Sequence, residues 1–529
     1  MRSHKVRTLR RPWRLVGILA AVSGLAVGEL AAGLVGPDSS PFFAVAATVV
    51  DLTPGPVKET AIGLLGPFNK LTLLMGLALV LGVCAALVGQ SAERAPTLAL
   101  VIIGGFGAVG MISAATRPDA GLADILPSLA ATVTAGITLR YLGRLAQSAR
   151  GDQQEDVPGD IGSTGPKAPA VETEYWRRQF LVTGGLFALG AVGTVVLGRW
   201  LSSERFGAAR SRAAVRLPNP VDKAASSRDA GLSIRELSRF HTANSDFYRV
   251  DTALSVPQVV AEDWKLRVHG MVREPLRLSY KELLRRPLIE RDITLACVSN
   301  PVGGLYVGNA RWLGLRVADL LREVGVDPAA DQAVSRSYDG MTIGTPTAAL
   351  TDGRDALLAV AMNGEPLPLK HGFPVRMVVP GLYGYVSACK WLVDLELTTF
   401  DRYDAYWVKQ GWAQQAQVKT ASRIDTPHNG AMPNAGIITV AGVAWAQHRG
   451  IGQVEVQVDD GPWVRAQLAG VPSVDTWRQW FYQWQATAGR HRLRVRAMDG
   501  HGQPQTAVRR DVYPDGATGL HEVTVTVVP

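Results

Sequence analysis

The chain has 529 residues, 47% of them hydrophobic and 19% charged, with a formal net charge of +9 and three cysteines. That length calls for more than one domain, the low charge fraction argues against a wholly soluble protein, and cysteines without a close pair or a CxxC exclude a disulfide framework or zinc finger. The positive excess does not mark a nucleic-acid binder, because Arg2, Lys5, Arg7, Arg10, Arg11 and Arg14 precede the first apolar run and Arg140, Arg144, Arg150, Arg177 and Arg178 flank others, where membrane topology places cations.

In chain order, long uncharged apolar runs lie at about 15–36, 71–90, 96–116, 122–139 and 179–198. Each is near the roughly 20 residues that cross a bilayer, and their Gly and Ala content suits close packing of helices in lipid. The apolar stretch 41–66 is interrupted by Asp51, Pro54, Pro56, Lys58 and Glu59. Charges at a bilayer centre are costly, so an external, interfacial or re-entrant segment is expected there. Histidine is absent between His4 and His241, so no bis-histidine haem is expected among these helices.

With the N-terminus inside, four spans return the chain to the cytoplasm after Leu142. The Gly-, Pro-, Asp- and Gln-rich segment 151–174 reads as a flexible linker. Trp176-Arg177-Arg178-Gln179-Phe180-Leu181 opens the fifth run. It resembles a twin-arginine export signal, and an ordinary arginine-flanked membrane helix reads the same way. The topology favours export, with residues 200–529 delivered outside the cell.

Residues 201–239 read as a polar tether. Beyond them 264–268 alternates like a strand, with His269-Gly270 starting a turn. Ser279 with Glu282 three residues later forms a capping box. Val317, Leu320, Leu321 and Val324 make an i, i+3, i+4, i+7 stripe, which is core. After about 415 helix signals fade, and 454–458 alternates into Asp459-Asp460-Gly461, a hairpin signal. Segments 492–498 and 523–527 alternate too, with Arg492, Arg494 and Arg496 on a solvated face. About seven short strands fit here, consistent with an immunoglobulin-like sandwich.

The chemistry centres on Cys297, where the apolar run 293–296 enters the loop Ser299-Asn300-Pro301-Val302-Gly303-Gly304. A thiolate at a strand end beside flexible backbone acts as a nucleophile or a soft metal ligand, and a buried cysteine can equally be a small hydrophobe. Pairing of Cys297 with Cys389 is a further reading. Three segments belong with it: 244–251 (Asn244, Asp246, Phe247, Tyr248, Arg249), 300–312, and His371-Gly372-Phe373-Pro374-Val375-Arg376 running on to Ser387, Cys389 and Lys390. Singly, His371 could cap a turn, Arg376 sit at the surface and Lys390 snorkel. Together a basic cluster around Gly-rich turns suits a phosphate-bearing ligand.

Taken together, the Cys-x-x-Asn loop, Met362-Asn363-Gly364-x-Pro366-Leu367-Pro368 and the HGFPVR…VVPG…KWL block resemble the sulfite oxidase family of molybdenum enzymes, over about residues 240–529. With the N-terminal α-helical membrane domain (1–200) and the tether (201–239) read from the apolar runs, a multi-domain fold is expected, to which the resemblance adds an α+β molybdopterin domain (240–414) and the sandwich (415–529), which can mediate a homodimer. It implies molybdopterin as cofactor, with Cys297 as the protein ligand to molybdenum; no haem is expected, since the sequence has no Cys-x-x-Cys-His and no paired histidines. It implies His371, Arg376, Ser387 and Lys390 at the pterin and its phosphate, Asn300 in the cysteine loop, and Asn244, Asp246, Tyr248 and Arg249 in the first cofactor-contacting segment. Cys297 and Arg249 are then the expected catalytic residues.

The expected activity is transfer of an oxygen atom to or from a small substrate, with electrons exchanged with a separate protein or the quinone pool, at a multi-pass bacterial membrane with the cofactor domain outside. Two departures disfavour sulfite itself. Pro301-Val302-Gly303 stands where sulfite oxidases carry an arginine, and Trp480-Phe481-Tyr482-Gln483-Trp484 lacks the second arginine expected in the sandwich. That aromatic cluster reads as packing, or as a face for a sulfoxide-like substrate. The rivals are a non-catalytic receptor or assembly protein reusing the fold, and a thiol enzyme using Cys297.

Overall fold

The computed structural model describes the chain apart from residues 1–11, 55–56, 58–59, 62–64, 66–67, 118–119 and 152–170, and apart from the side chains at 12, 148–151, 171–181 and 204–205. It divides into two compact units, Met1–Gly207 with Ala253–Ser255, and Ala208–Thr252 with Val256–Pro529.

The first unit is helical: α1 (Pro12–Val35), α2 (Pro41–Leu52), α3 (Asn69–Ala92), α4 (Pro96–Ala115), α5 (Leu126–Gly151) and α6 (Val171–Phe206). Pro41 and Pro96 stand at helix starts, where a missing N–H loses nothing. Among the described residues five helices are long and apolar enough to cross a membrane, at Trp13–Val35, Asn69–Ala92, Pro96–Ala115, Leu122–Gln147 and Val182–Ala214. Their outer faces carry Leu79, Val101, Ile137 and Leu189 exposed, a surface that water disfavours.

The helices α1 and α3 meet backbone to backbone. A Cβ on Gly17 would lie 2.0 Å from the Ala85 carbonyl oxygen, and one on Gly89 2.1 Å from that of Trp13, the close approach that small residues permit in lipid. The first part of the interrupted segment forms the 12-residue α2, a helix too short to span on its own, and its Asp51 pairs with Arg117 at 3.0 Å. Pro56, Lys58 and Glu59, and the side chains of Arg177 and Arg178, lie outside the described residues.

The second unit opens with α7 (Ala208–Ala214). Its strands begin with β1 (Lys265–Gly270), β2 (Leu276–Ser279), β3 (Ile289–Ala296), β4 (Val307–Arg316) and β5 (Gln332–Ser337). They continue with β6 (Thr342–Pro346), β7 (Leu357–Met362), β8 (Glu365–Pro366), β9 (Arg376–Val378) and β10 (Leu392–Thr398). Two sheets result, ordered β2-β1-β10-β5-β6 and β3-β4-β7-β8, with β9 against β7.

Helix α8 (Tyr280–Leu284) starts with the expected capping box. The Ser279 hydroxyl accepts from the Glu282 amide at 3.3 Å, and the Glu282 carboxylate accepts from the Ser279 amide at 2.8 Å. Helix α9 (Val317–Val324) buries all four residues of its stripe. One local expectation changes: His269 and Gly270 belong to β1, because parallel pairing with β10 extends the strand through His269 opposite Glu396 and Gly270 opposite Leu397. The turn begins only at Gly270, with φ +92°.

The C-terminal part has eight strands where about seven were expected. They are β11 (Ala421–Thr426), β12 (Gly436–Trp445), β13 (Ile451–Val458), β14 (Trp463–Arg465), β15 (Gln467–Leu468), β16 (Arg478–Ala486), β17 (Gly489–Asp499) and β18 (His521–Val527). They form two four-stranded sheets, β11-β12-β16-β15 and β14-β13-β17-β18. Their inward residues, among them Val440, Val454, Trp480, Trp484, Val495 and Val525, make one core. Trp480 and Trp484 are therefore packing, while Arg492 and Arg496 on the outer face pair with Asp460 and Glu455.

Candidate functional site

Strand β3 buries its last five residues and releases the chain at Cys297. The loop that follows is closed by its own polar groups. The Cys297 amide donates to the Tyr306 carbonyl at 2.9 Å, the Asn300 amide to the Cys297 carbonyl at 3.1 Å, and the Tyr306 amide to Asn300 Oδ1 at 2.8 Å. The Asn300 side chain thus shapes the loop. Gly303 adopts φ +78°, and a Cβ there would lie 2.1 Å from His521 Cδ2, so glycine is required on two counts. Burial raises the Cys297 thiol pKa, opposed by hydrogen bonds with Ser299 and by the Lys390 charge.

The basic block folds back beside this loop. His371 is 1% exposed, and its Nε2 meets the Asn244 carbonyl at 3.0 Å. Burial, then the Arg376 charge, push its pKa down to about 3, so the ring is neutral and Nε2 donates. Arg376, at the start of β9, is 5% exposed. It donates through Nη1 to the His371 carbonyl at 3.2 Å and lies 5.1 Å over the Trp312 ring, and its Nε has no hydrogen-bond partner. Burial lowers its pKa to about 10.

Lys390 donates to Asp251 Oδ2 at 2.6 Å and to the Val250 carbonyl at 3.2 Å. Burial brings its pKa down to about 8 against the opposing pull of Asp251. Arg249 binds the same carboxylate, Nε to Oδ2 at 2.8 Å and Nη2 to Oδ1 at 3.2 Å. Tyr248 stacks on Phe247 at 5.2 Å, with Tyr306 6.4 Å away. Burial and the neighbouring Cys297 hold its phenol protonated.

The structure therefore gathers Cys297, Tyr248, Arg249, His371, Arg376 and Lys390, with Asn244 held through its backbone by His371. The Asn244 side chain bonds Met362, Glu365 and Asn363. Asp246 is exposed, its carboxylate accepting from the Ser245 hydroxyl at 2.8 Å. Ser387 is fully buried, and its hydroxyl proton is directed to the carbonyls of Leu382 and Tyr383 at 3.2 and 2.9 Å. The three cysteines are free.

Sequence reasoning missed Asp251 as the shared partner of Arg249 and Lys390, although it closes the segment singled out. It also missed Arg423, which donates from β11 to the Gly304 carbonyl, and His521, against Gly303. No local pattern marks either. Glu365 was missed as well: it pairs with Arg212 of α7 at 2.8 Å and accepts from Asn244 at 2.5 Å.

The donor set tests which group would fit. Arg249 and Lys390 share the carboxylate of Asp251, while the buried Arg376 has a buried Nε without a hydrogen-bond partner, an arrangement completed by an anion. Among the described residues no group of three or more His, Cys, Asp or Glu side chains gathers for a metal. The Cys297 thiol is a donor of the kind a soft metal takes, and the free Cys389 thiol is buried near Arg376 and Lys390. These residues fit a phosphate-bearing, metal-carrying group.

The model of the oxidoreductase molybdopterin binding domain matches residues 253–407. The uncharacterized oxidoreductase YuiH of Bacillus subtilis is 34% identical over 151 residues, 28% of this chain and 72% of YuiH. Mitochondrial sulfite oxidase of Mus musculus is 30% identical over 332 residues, 52% of this chain and 60% of that protein. The chain thus spans only about half to three-fifths of the sulfite oxidases of mouse and human. The sulfane dehydrogenase SoxCD from Paracoccus pantotrophus aligns with a TM-score of 0.48 at 22% identity, over 54% of this chain and 83% of that one. On the matched domain and the relatives that share it, this chain belongs to the sulfite oxidase family of molybdopterin-dependent oxidoreductases.

Proposed function

We propose that this chain is a membrane-anchored molybdenum oxidoreductase that acts outside the cytoplasm and transfers an oxygen atom to or from a small, uncharged substrate. In this reading residues 1–200 anchor the protein, 201–239 tether it, 240–414 hold the cofactor and 415–529 form an immunoglobulin-like sandwich able to pair two copies. The observation that carries it is the buried Arg376 with its unpartnered Nε, near Lys390, whose charge also reaches the thiol of Cys297.

Cys297 would hold the metal, Arg376 and Lys390 the phosphate, and His371 with the Asn244 segment the pterin. Asn300 and Ser387 keep their loops in register. When bound, the cofactor supplies a metal that changes oxidation state as oxygen is transferred. The chain's part is positioning and charge. Neutral His371 donates from Nε2, and the protonated Tyr248 offers a hydrogen bond beside Cys297. Asp251 holds Arg249 and Lys390 in place.

The choice of an uncharged substrate, such as a sulfoxide, rests on the available arginines. Residues 301–303 are Pro-Val-Gly. Arg423 uses Nε, Nη1 and Nη2 on Asp425, Gly304 and Ser238, and Arg249 is shared with Asp251. An oxyanion would find few free donors. Five apolar helices support the anchor, and the arginine pair before the last of them supports export of residues 200–529. Electrons would pass to a separate carrier or the quinone pool.

The test is turnover by the full-length protein with a redox dye and a panel of a sulfoxide, an amine N-oxide and sulfite. Turnover of the neutral substrates above sulfite is expected, and its loss in Cys297→Ser. Preference for sulfite would overturn the substrate assignment. Absence of any turnover in metal-loaded protein would overturn the oxygen-transfer reading.

A further inference from the structure

Four helices of the first unit, α1, α3, α4 and α5, surround a partly enclosed apolar cavity of about 140 Å³. Its wall is built from small residues: Gly17 and Gly24 of α1, Cys84 of α3, Gly107 of α4, with the Phe106 ring at one side. Space between α4 and α5 is set by α5 side chains packed against α4 glycines. A Cβ on Gly107 would meet Thr132 Oγ1 at 2.1 Å, and one on Gly110 would meet Ser128 Oγ at 3.0 Å.

One polar atom in that wall stands out. Ser128 is 2% exposed and lines the cavity, and its Oγ has no hydrogen-bond partner among the described residues. Thr132, one turn further along α5, resolves the same problem by donating to the Ser128 carbonyl at 2.7 Å. Helices of this length and apolarity face hydrocarbon, where no bulk water can satisfy a hydroxyl. A trapped water needs two to four polar partners, and this lining contributes one free hydroxyl. An acyl chain would fill the volume and leave the hydroxyl unmet. A cavity of about 150 Å³ accepts a benzene ring, so the volume matches one six-membered ring, and the hydroxyl matches a carbonyl on that ring.

We propose that this cavity binds the head of a membrane quinone, with a ring carbonyl accepting a hydrogen bond from Ser128 Oγ beside Phe106. The proposal rests on the reading of this chain as an oxidoreductase that exchanges electrons with the quinone pool, and it names the docking place in the helical unit. It concerns binding alone.

The experiment is calorimetric titration of the full-length protein in lipid nanodiscs with an oxidised short-tail ubiquinone analogue. Saturable binding near one per chain is expected. Ser128→Ala should weaken it about fivefold, the usual worth of one hydrogen bond, while Ser128→Thr, which keeps the hydroxyl, should stay near wild type. Cys84→Phe, which fills the cavity, should abolish it. Thermal melts on each variant identify any loss of fold, and the alanine–threonine contrast decides the matter if the phenylalanine variant does not fold. Absence of saturable binding, or equal binding in wild type, Ser128→Ala and Cys84→Phe, would overturn the proposal. The titration contains no substrate and needs no metal, so its failure leaves the molybdenum reading intact.

Discussion

Arg423 donates through Nη1 to the carbonyl of Gly304 at 2.8 Å across 119 residues of sequence. Its Nε binds Asp425 at 2.6 Å and its Nη2 binds Ser238 at 2.8 Å, and both partners of the ion pair are nearly inaccessible to solvent. Strand β11 of the sandwich thereby holds the loop that begins at Cys297. Replacing Arg423 with methionine strips Asp425 of its buried partner. A destabilisation of roughly 3–5 kcal/mol is expected for a broken buried pair, read as a lower melting temperature. Arg423→Lys should recover little, because an ammonium cannot copy the three-way fork. A methionine variant that melts with the wild type would show that the loop is held by other contacts.

Gly303 and His521 offer a separable test of the same junction. In Gly303→Ala the left-handed backbone and the contact with the His521 ring are both penalised. A loss of about 1–3 kcal/mol is expected from the strained backbone, with the clash in addition. Adding His521→Ala should return the clash component only, so a double-mutant cycle should give a non-zero coupling energy. Strict additivity would mean that the loop shifts away from the ring at no cost.

If Lys390 holds the anion as proposed, binding should depend on pH. Burial holds its pKa at about 8 against an ordinary 10.5, so the free protein loses this cation as pH rises through 8. Binding of inorganic pyrophosphate to cofactor-free protein should weaken above that pH, by at most about tenfold per unit for one proton. Lys390→Met should bind weakly at every pH and show no such slope. The stability contribution has the opposite sense: the unfolded chain holds this proton more tightly, so the folded state gains as pH rises from 8 toward 10.5.

His371 and His521 act on the acid side. Burial first, then arginine charges, lower their pKa values to about 3 and about 4, from an ordinary 6.5. Between 6.5 and those values the unfolded chain takes up protons that the folded chain refuses. Their stability is complete above pH 6.5 and falls as pH falls, each contributing up to about 1.4 kcal/mol per pH unit. Urea unfolding at pH 7, 6, 5 and 4 should show this slope, and His371→Gln should reduce it. An unchanged slope in that variant would assign the acid sensitivity to other groups.

Much of this was legible in the residues themselves. The capping box at Ser279, the stripe of α9 and the alternation in β13, β17 and β18 are local patterns, and each formed as read. Cys297 and the block carrying His371, Arg376 and Lys390 come together from separated segments, and it was the order of their motifs that suggested they would. What stayed hidden depends on tertiary pairing. His269 and Gly270 joined a strand because β10 lies parallel beside it, and Asp251 became the partner of two cations only after Arg249 and Lys390 met. Arg423 and His521 sit on alternating strands that look like any sandwich edge, so nothing nearby signals that their side chains brace the cysteine loop.

The central claim is that Cys297 is the chain's ligand to molybdenum. Its most direct measurement is elemental analysis, with pterin quantified alongside, of full-length protein purified from cells able to make the cofactor. The account predicts about one molybdenum and one pterin per wild-type chain. It predicts that Cys297→Ser loses most of the metal while keeping the wild-type fold by circular dichroism. Wild-type protein that is folded yet free of both metal and pterin, or a serine variant that keeps its full molybdenum, would contradict it.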